Sequence, residues 1–372
     1  MLEKIKDYLR KNDSWLSELL FCQYYERREK RNMKINSIPF KRVEGENKYI
    51  AKWNSILRFS TPYAYRLYSH YVGTNPYIVS ETATIKINRI LNPIRYDGYL
   101  SDKNNFDKIL DPTILPKTIL RIISGQLYDS DYNPIHNLTE TRFQNYILPF
   151  ERIIFKPTVE SNSGNGIDLF IKKGHKFFNN KNEELTISSF LAKGDNTLLQ
   201  EGLQQCEFMS QFNSTSINTI RIATYRSVKD NKVHILSIVI RMGASGKIID
   251  NLHGGGKMVR INSNQYLANH CIDQYGTSYK NHNGIDFTQR ILFPYYKSVC
   301  ELVNTEAKKL IDTRLIQWDI MIDQNNIPRI IEFNINSFSF WIAQMTGTPA
   351  FGKYTDEIIE YVHNQLNKFQ KG

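Results

Sequence analysis

The chain is short of cysteine, of long apolar runs and of low-complexity sequence. Its four cysteines, Cys22, Cys206, Cys271 and Cys300, stand far apart among 372 residues and show no metal-ligand spacing. That argues against a disulfide framework and leaves buried free thiols as the expectation. Neither Cys206 nor Cys271 carries a local catalytic signature, and Ser210, Ser214 and Ser216 lack a nucleophile-elbow context. There is no Walker A sequence, no His-Glu-x-x-His and no glycine-rich dinucleotide turn in the first part of the chain. No apolar run approaches the roughly 18 residues of a membrane span. Residues 1–11 mix charges of both signs, unlike a secretory leader. A cytoplasmic protein is therefore expected, without a transmembrane segment and with peripheral membrane contact left open.

What is present is a globular composition, 41% hydrophobic and 12% aromatic, with a formal charge of +11. The length suits two or three lobes. The positive excess suits an acidic partner: a nucleotide, an anionic sugar polymer, nucleic acid or a membrane surface. It does not choose among them.

Three segments follow from the change of pattern along the chain. Residues 1–108 read as helical and basic. Leu2, Ile5, Leu9, Leu16, Leu19 and Leu20 recur at rough helical spacing, and Asp13-Ser14 offers an N-cap. Arg27, Arg28, Lys30, Arg31 and Lys34 form a positive cluster. It reads as a solvated helix end or as a contact to a phosphate-bearing or membrane-linked substrate. A second helical region over 50–72 carries Trp53, Phe59, Tyr63, Tyr65, Tyr68 and Tyr71, a packing surface or, alternatively, a sugar-binding face. Residues 109–200 and 201–372 alternate strands with helices. Strands are predicted over 119–123, 153–157, 167–172, 198–201, 217–225 and 233–242. Helices are predicted over 143–148, from 188, over 294–312 and over 354–368, with a sharp break at Gly254-Gly255-Gly256.

The most informative stretch is 315–336. Two apolar runs flank the polar turn Gln-Asn-Asn-Ile-Pro, which signals a hairpin. With Asn325-Asn326 as a two-residue loop, Asp319 stands opposite Glu332, at about 4.5–5.5 Å between Cβ atoms. Glu332, Asn334 and Asn336 share one face by the two-residue period. Like charges that close need a cation between them, and oxygen ligands suit a hard ion such as Mg²⁺. An amphipathic hairpin with a solvated polar face is the alternative. Two further signals stand elsewhere. Lys156 ends a strand that leads into the glycine-bearing turn 161–166, which is either a simple turn or a backbone cradle for phosphates. Thr219 and Arg221 share a strand face, Arg241 ends the next strand, and Lys257 follows the three glycines; cations so placed would neutralise charge during phosphoryl transfer. Asp250, Asn251 and His253 lie nearby and read as loop ligands for a substrate.

In order, these pieces resemble one family. Phe155-Lys156-Pro157 with the turn 161–166 looks like the lysine strand and glycine-rich loop of ATP-grasp enzymes. Leu199-Gln200-Glu201-Gly202-Leu203 looks like their adenine hinge, and Asp319 with Glu332-Phe333-Asn334 looks like their metal set. Asn218-Thr219-Ile220-Arg221 and the segment from Arg241 to Lys257 are similar to the sugar-transfer-associated subgroup, which is linked to surface polysaccharide synthesis. The resemblance covers about residues 115–350. It implies an α+β ATP-grasp fold, two α/β lobes with nucleotide between them, plus the helical basic N-terminal region. It implies ATP and Mg²⁺ as cofactors. Lys156, Ser163, Gly164 and Gly166 would hold phosphates, with Arg121 as the cation on the preceding strand. Gln200, Glu201 and Leu203 would line the adenine pocket, and Glu207 would reach the ribose. Asp319, Glu332 and Asn334 would bind Mg²⁺. Arg221, with Arg241 and Lys257, would stabilise the transferred phosphoryl group. The implied reaction is ligation of a small-molecule or glycan carboxylate to an amine through an acylphosphate, with no nucleic acid involved. A kinase on the same scaffold, phosphorylating a sugar or lipid-linked hydroxyl, and a non-catalytic module binding an acidic polymer are the rival expectations.

Overall fold

The computed structural model describes residues 14–159, 166–244, 252–336, 338 and 340–369. The chain forms two compact units, each assembled from separated stretches of sequence. Unit one takes Met1–Asp97, Gln211–Asp319 and Phe333–Gly372, and unit two takes Gly98–Ser210 and Ile320–Glu332. The boundaries expected at 108/109 and 200/201 lie near the crossings at 97/98 and 210/211. The N-terminal helices nevertheless do not stand alone, and the chain crosses again inside the hairpin. The reason is packing: the apolar faces of those helices are completed by residues far along the sequence.

The first described helix, α1 (Trp15–Ile35), starts at a capping box. Ser14 Oγ accepts from Ser17 N at 3.0 Å and Ser17 Oγ accepts from Ser14 N at 3.0 Å, so two orphan donors of the helix start are satisfied reciprocally. The helical region expected over 50–72 is two helices, α2 (Glu46–Trp53) and α3 (Tyr63–Val72). Pro62 separates them, since it disfavours helical geometry at Thr61 and lacks an N–H. The helix α4 (Glu81–Leu91) follows, capped by Ser80. Trp53, Tyr65 and Tyr68 are buried, so this part of the aromatic set is packing surface.

Unit two is built on a six-stranded sheet. Its strands are β1 (Thr118–Ile123), β2 (Gln126–Asp129), β3 (Arg152–Pro157), β4 (Asp168–Lys173), β5 (Lys176–Phe178) and β6 (Thr197–Glu201). They lie in the order β2-β1-β6-β3-β4-β5. Two helices, α5 (Glu140–Ile147) and α6 (Ile187–Leu191), cover one face. Phe143, Ile147 and Phe190 meet Leu120, Ile153, Phe155, Phe170 and Leu199 there in one buried cluster. The register settles what the other face carries. Leu198 stands opposite both Arg121 and Lys156, and Gln200 stands opposite Ile154 and Thr118. By the strand period of two, Arg121, Leu198 and Lys156 form a row on the face away from the helices.

Unit one holds the strands β7 (Thr219–Arg226), β8 (Val233–Met242), β9 (Lys257–Arg260), β10 (Cys271–Ile272) and β11 (Ser278–Tyr279), with the small hairpin β12 (Asn281–His282) and β13 (Ile285–Asp286). The main sheet runs β11-β10-β9-β8-β7-β14-β15, where β14 (Leu315–Ile322) and β15 (Pro328–Asn334) are the hairpin strands. Thr219, Arg241, Met258 and Ile272 stand in one row and Arg221, Val239 and Arg260 in the next on the same face. Val239, Met258 and Ile272 of that face pack with Trp53, Tyr65, Ile87, Trp341 and Ile358, from α2, α3, α4, α8 (Phe340–Met345) and α9 (Thr355–Phe369). The helix α7 (Tyr296–Ala307) takes the place expected for 294–312, shorter at both ends.

The hairpin turn is one residue longer than the two-residue loop expected. Asp323 N donates to Ile327 O at 2.9 Å and Asn326 N donates to Asp323 O at 2.9 Å, so Gln324, Asn325 and Asn326 form the loop. Only Asn326, at φ 64°, is left-handed. Asp323 explains the shift: its carboxylate accepts from Asn325 N and Ile327 N at 2.9 Å each and from Arg329 Nε at 2.9 Å. That side chain holds the turn as an Asx motif. The Asp319–Glu332 pairing expected from a two-residue loop therefore does not follow from this turn.

Asn92 closes unit one at the other end of the hairpin. Its buried amide donates to Leu315 O at 2.7 Å and Ile335 O at 2.5 Å, and accepts from Arg314 N at 2.8 Å and Leu315 N at 2.9 Å. Four backbone groups depend on one side chain. Asn92→Ala is expected to lower the unfolding free energy by about 3 kcal/mol, because buried backbone groups lose partners that water does not replace. Urea denaturation measures it, and an unchanged midpoint would refute the assignment.

Candidate functional site

In unit two the sheet face that bears Arg121, Leu198 and Lys156 carries two buried lysines beside one carboxylate. Lys156 comes from β3 and is buried. Lys103 comes from the 3-10 turn Lys103–Asn105, and its Nζ lies 3.0 Å from Glu332 Oε1. The turn is pinned to the sheet. Asp102 caps it by accepting from Asn104 N at 2.9 Å, Lys103 N donates to Thr158 O at 3.2 Å, and Asn104 Nδ2 donates to Thr158 Oγ1 at 3.1 Å. Burial pulls the Lys156 ammonium down to about 8; Lys103 adds to the shift and Glu332 opposes it. A buried lysine so placed gains most from an arriving anion. Sequence reasoning missed Lys103. The one local mark is Asp102, an N-cap residue just before it, and the polar run Lys103-Asn104-Asn105 otherwise reads as a solvated loop.

Arg121 shares the row of Lys156 but has its own partners. It is fully buried, with Nη2 2.6 Å from Asp107 Oδ2 and 2.9 Å from Ser130 O, and its guanidinium lies 3.8 Å from the Tyr132 ring centroid. Its Nη1 donates to Asn104 O at 2.8 Å, which ties it to the segment that carries Lys103.

The hinge sits at the end of the same sheet. Gln200 is buried and donates to Pro116 O and Thr118 Oγ1, both at 3.3 Å. Glu201 N donates to Lys117 O at 2.8 Å. Gly202 passes so close to β3 that a Cβ there would stand 2.8 Å from Arg152 Cβ and 3.0 Å from its carbonyl carbon, so only glycine fits. Glu201 and Leu203 line a cavity of about 870 Å³ with Thr118, Phe150, Arg152 and Arg329. Arg152 Nε is buried there without a hydrogen-bond partner among the described residues, and burial lowers the pKa of that guanidinium. Glu207 is exposed at the start of the short helix Glu207–Ser210.

In unit one, Asp319 is buried and held by two arginines. Arg221 binds it in bidentate fashion, Nε to Oδ1 at 2.8 Å and Nη2 to Oδ2 at 2.6 Å. Arg241 Nη1 lies 3.3 Å from both oxygens. Burial pushes the Asp319 carboxyl up, but the two guanidiniums outweigh it and hold the group below the usual carboxylate range. Lys257 is not part of this set. Met258 pairs with Arg241, so Lys257 points to the opposite face, where its Nζ lies 4.0 Å from the Tyr279 ring centroid and 3.5 Å from His282 Nδ1. Asn334 is half-buried at the end of β15.

Ser163, Gly164, Asp250 and Asn251 lie outside the described residues, as does the side chain of His253. Gly166 is described, at φ 76°. Among the described residues no three His, Cys, Asp or Glu side chains cluster as a metal site, so a metal bound by the hairpin acids would need an amide or other oxygen as well. The donor types do fit a hard ion, since Asp319, Glu332 and Asn334 offer only oxygen.

No curated protein matches the sequence. Solved structures with a partial likeness include an L-amino acid ligase from Bacillus licheniformis, at 12% identity and TM-score 0.34 over 64% of this chain and 41% of that one. A D-alanine–D-alanine ligase from Bacillus anthracis matches at 14% identity and TM-score 0.40, over 75% and 72%. The ATP-grasp ligase PsnB, complexed with a phosphomimetic variant of its minimal precursor, Mg and ADP, matches at 11% identity and TM-score 0.38, over 73% and 61%. The chain thus spans less than half the length of the first of these, and likenesses this faint bear no weight for a reaction. The family model described as sugar-transfer associated ATP-grasp, by contrast, matches residues 84–358, from α4 through the whole of unit two and the hairpin into α9. With that match over most of its length, the chain belongs to the sugar-transfer associated ATP-grasp family, and its α+β architecture is the ATP-grasp fold preceded by a helical N-terminal region.

Proposed function

We propose that the protein is an Mg-ATP-dependent carboxylate–amine ligase acting through an acylphosphate, in the synthesis of a surface polysaccharide. One observation carries the reading. On the site face of unit two, Lys103 and Lys156 face Glu332, and in unit one Arg221 and Arg241 face Asp319. Among the described residues each set gathers two cations about one carboxylate, with the lysines buried and the arginines half-buried, so positive charge is concentrated where little water screens it. Such concentrations of positive charge suit the phosphates of a nucleotide. The family description points to sugar transfer, which favours a glycan or glycan precursor as one substrate.

The roles follow from the chemistry of each group. Lys156 and Lys103 take the phosphates of ATP, releasing Glu332. Arg121 orders the segment that holds Lys103 and adds its charge to the same face. Gln200, Glu201 and Leu203 offer adenine contacts, and Glu207 a ribose contact. Asp319, Glu332 and Asn334 would hold Mg²⁺, which supplies charge neutralisation on the phosphoryl oxygens. Arg221 and Arg241, released from Asp319, face the transferred group. The substrate carboxylate oxygen bonds to the γ-phosphorus as the bond to the ADP oxygen breaks. The amine nitrogen then bonds to the acyl carbon, phosphate leaves, and the amine proton passes to solvent. No side-chain nucleophile is needed. The lining of positive charge lowers the cost of the phosphoryl transition state.

Glu332→Gln is expected to cut ADP release, assayed with a uronic or amino acid and an amine, by at least about a hundredfold. Wild-type turnover that frees phosphate supports the ligase; phosphate retained on the acceptor would mean a kinase, and polymer binding without turnover a binding module. A second outcome concerns pH. The Lys156 ammonium sits at about 8, below its ordinary value of about 10.4. Below pH 8 it is charged and costs stability; as pH rises to about 10.4 the unfolded chain holds the extra proton, so the cost disappears and stability rises. Nucleotide phosphates raise this pKa again, so binding takes up a proton near pH 9 and weakens as pH climbs. Calorimetry in two buffers of different ionisation heat reads that uptake. Lys156→Met should remove it, and an uptake that persists in that variant would assign it elsewhere.

A further inference from the structure

The helix α1 departs in part from the pattern of a helix facing water. Surface helices bury their apolar side chains and expose their charges. On α1 the buried positions include Glu18, Glu29 and Asn32, at 5%, 3% and 1% exposure, beside the apolar Phe21, Cys22, Tyr25 and Met33. Trp15, Leu16, Leu20 and Tyr24 are instead 57%, 54%, 41% and 45% exposed. The buried acid is satisfied from within unit one: Glu18 accepts from Lys86 Nζ at 2.5 Å and also from Arg58. Burial and the charge of Glu81 push the Glu29 carboxyl well above its ordinary range.

The exposed positions fall on one line. Leu16, Leu20, Tyr24, Arg27, Arg31 and Lys34 follow at intervals of three or four residues, a single stripe of the helix surface. The first half is apolar and aromatic and the second half is cationic. No exposed position of α1 is acidic; Glu26, half-buried, is paired with Lys30 at 2.5 Å. Phe59 packs edge-on to Trp15 at 5.6 Å between centroids and extends the apolar end.

We propose that this stripe docks the protein on an anionic lipid bilayer. Leu and Trp side chains suit the boundary between headgroups and acyl chains, Tyr and Trp prefer that depth, and Arg and Lys reach lipid phosphates. The charge of the surface selects lipid over a second copy. Parallel self-packing sets Arg27, Arg31 and Lys34 against themselves, and antiparallel packing sets them against Leu16 and Leu20. The +11 charge of the whole chain reinforces the attraction.

The test is flotation of the full chain with vesicles of phosphatidylcholine alone and with about a third phosphatidylglycerol. Binding is expected to the second and to fall in high salt. The triple variant Arg27→Gln, Arg31→Gln, Lys34→Gln should bind about a hundredfold more weakly. Leu16→Ser with Leu20→Ser should weaken binding at least about tenfold. Both variants change exposed side chains, of which Arg31 also lies over the Tyr275 ring at 5.3 Å, so the thermal midpoint should change by little, nucleotide binding should stay as in the wild type, and both serve as the check on folding. Wild-type protein that stays with the buffer, binding that survives in both variants, or a stripe-dependent dimer without lipid binding would overturn the proposal.

Discussion

Two positive charges gathered about one carboxylate is the arrangement on which the site depends. In unit one the arrangement is Arg221 and Arg241 on Asp319; in unit two it is Lys103 and Lys156 by Glu332. Each set is stable because the carboxylate cancels part of the repulsion between its cations. The surrounding fold serves to keep those groups where they are. The row Arg121-Leu198-Lys156 fixes one lysine to the sheet, and the turn at Lys103 is bolted to Thr158 by backbone and side-chain bonds. In the other unit the two arginines stand on neighbouring strands in adjacent rows of a single face.

This view separates the residues that bind from those that hold the binders. Arg121 and Asp107 form a closed pair stacked on Tyr132, and their effect on the site runs through Asn104. Asp323 spends its carboxylate on its own turn and on Arg329. Asn92 ties both ends of the hairpin inside unit one. None of the three need touch a substrate to matter.

The strands and the order of the motifs were legible in the sequence, because period-two apolar runs around turn residues mark a strand whatever it packs against. Lys156, Arg221 and Asp319 could be picked out because each sits in such a run. Lys103 could not, since its neighbours are polar and its place depends on a sheet end fifty residues away. Lys257 illustrates a different limit. It is expected beside Arg241, yet the register pairs Arg241 with Met258, and one residue is enough to turn a side chain to the other face. The hairpin loop shows the same sensitivity, since Asp323 captures the turn and moves it by one position. The role of the N-terminal helices was hidden too. Their aromatic residues announce a core, but not that its other half comes from α8 and α9.

That last feature bears on how the chain is made. The cluster around Trp53, Tyr65 and Ile87 closes only when Trp341, Ile358 and Val362 arrive. During synthesis the early helices leave the ribosome with their aromatic surface bare while more than two hundred residues are still to come. Unit two can close sooner, apart from its hairpin strip at 320–332. Nascent chains of this kind depend on chaperones that shield the first segment, and contacts of such long sequence separation make folding slow.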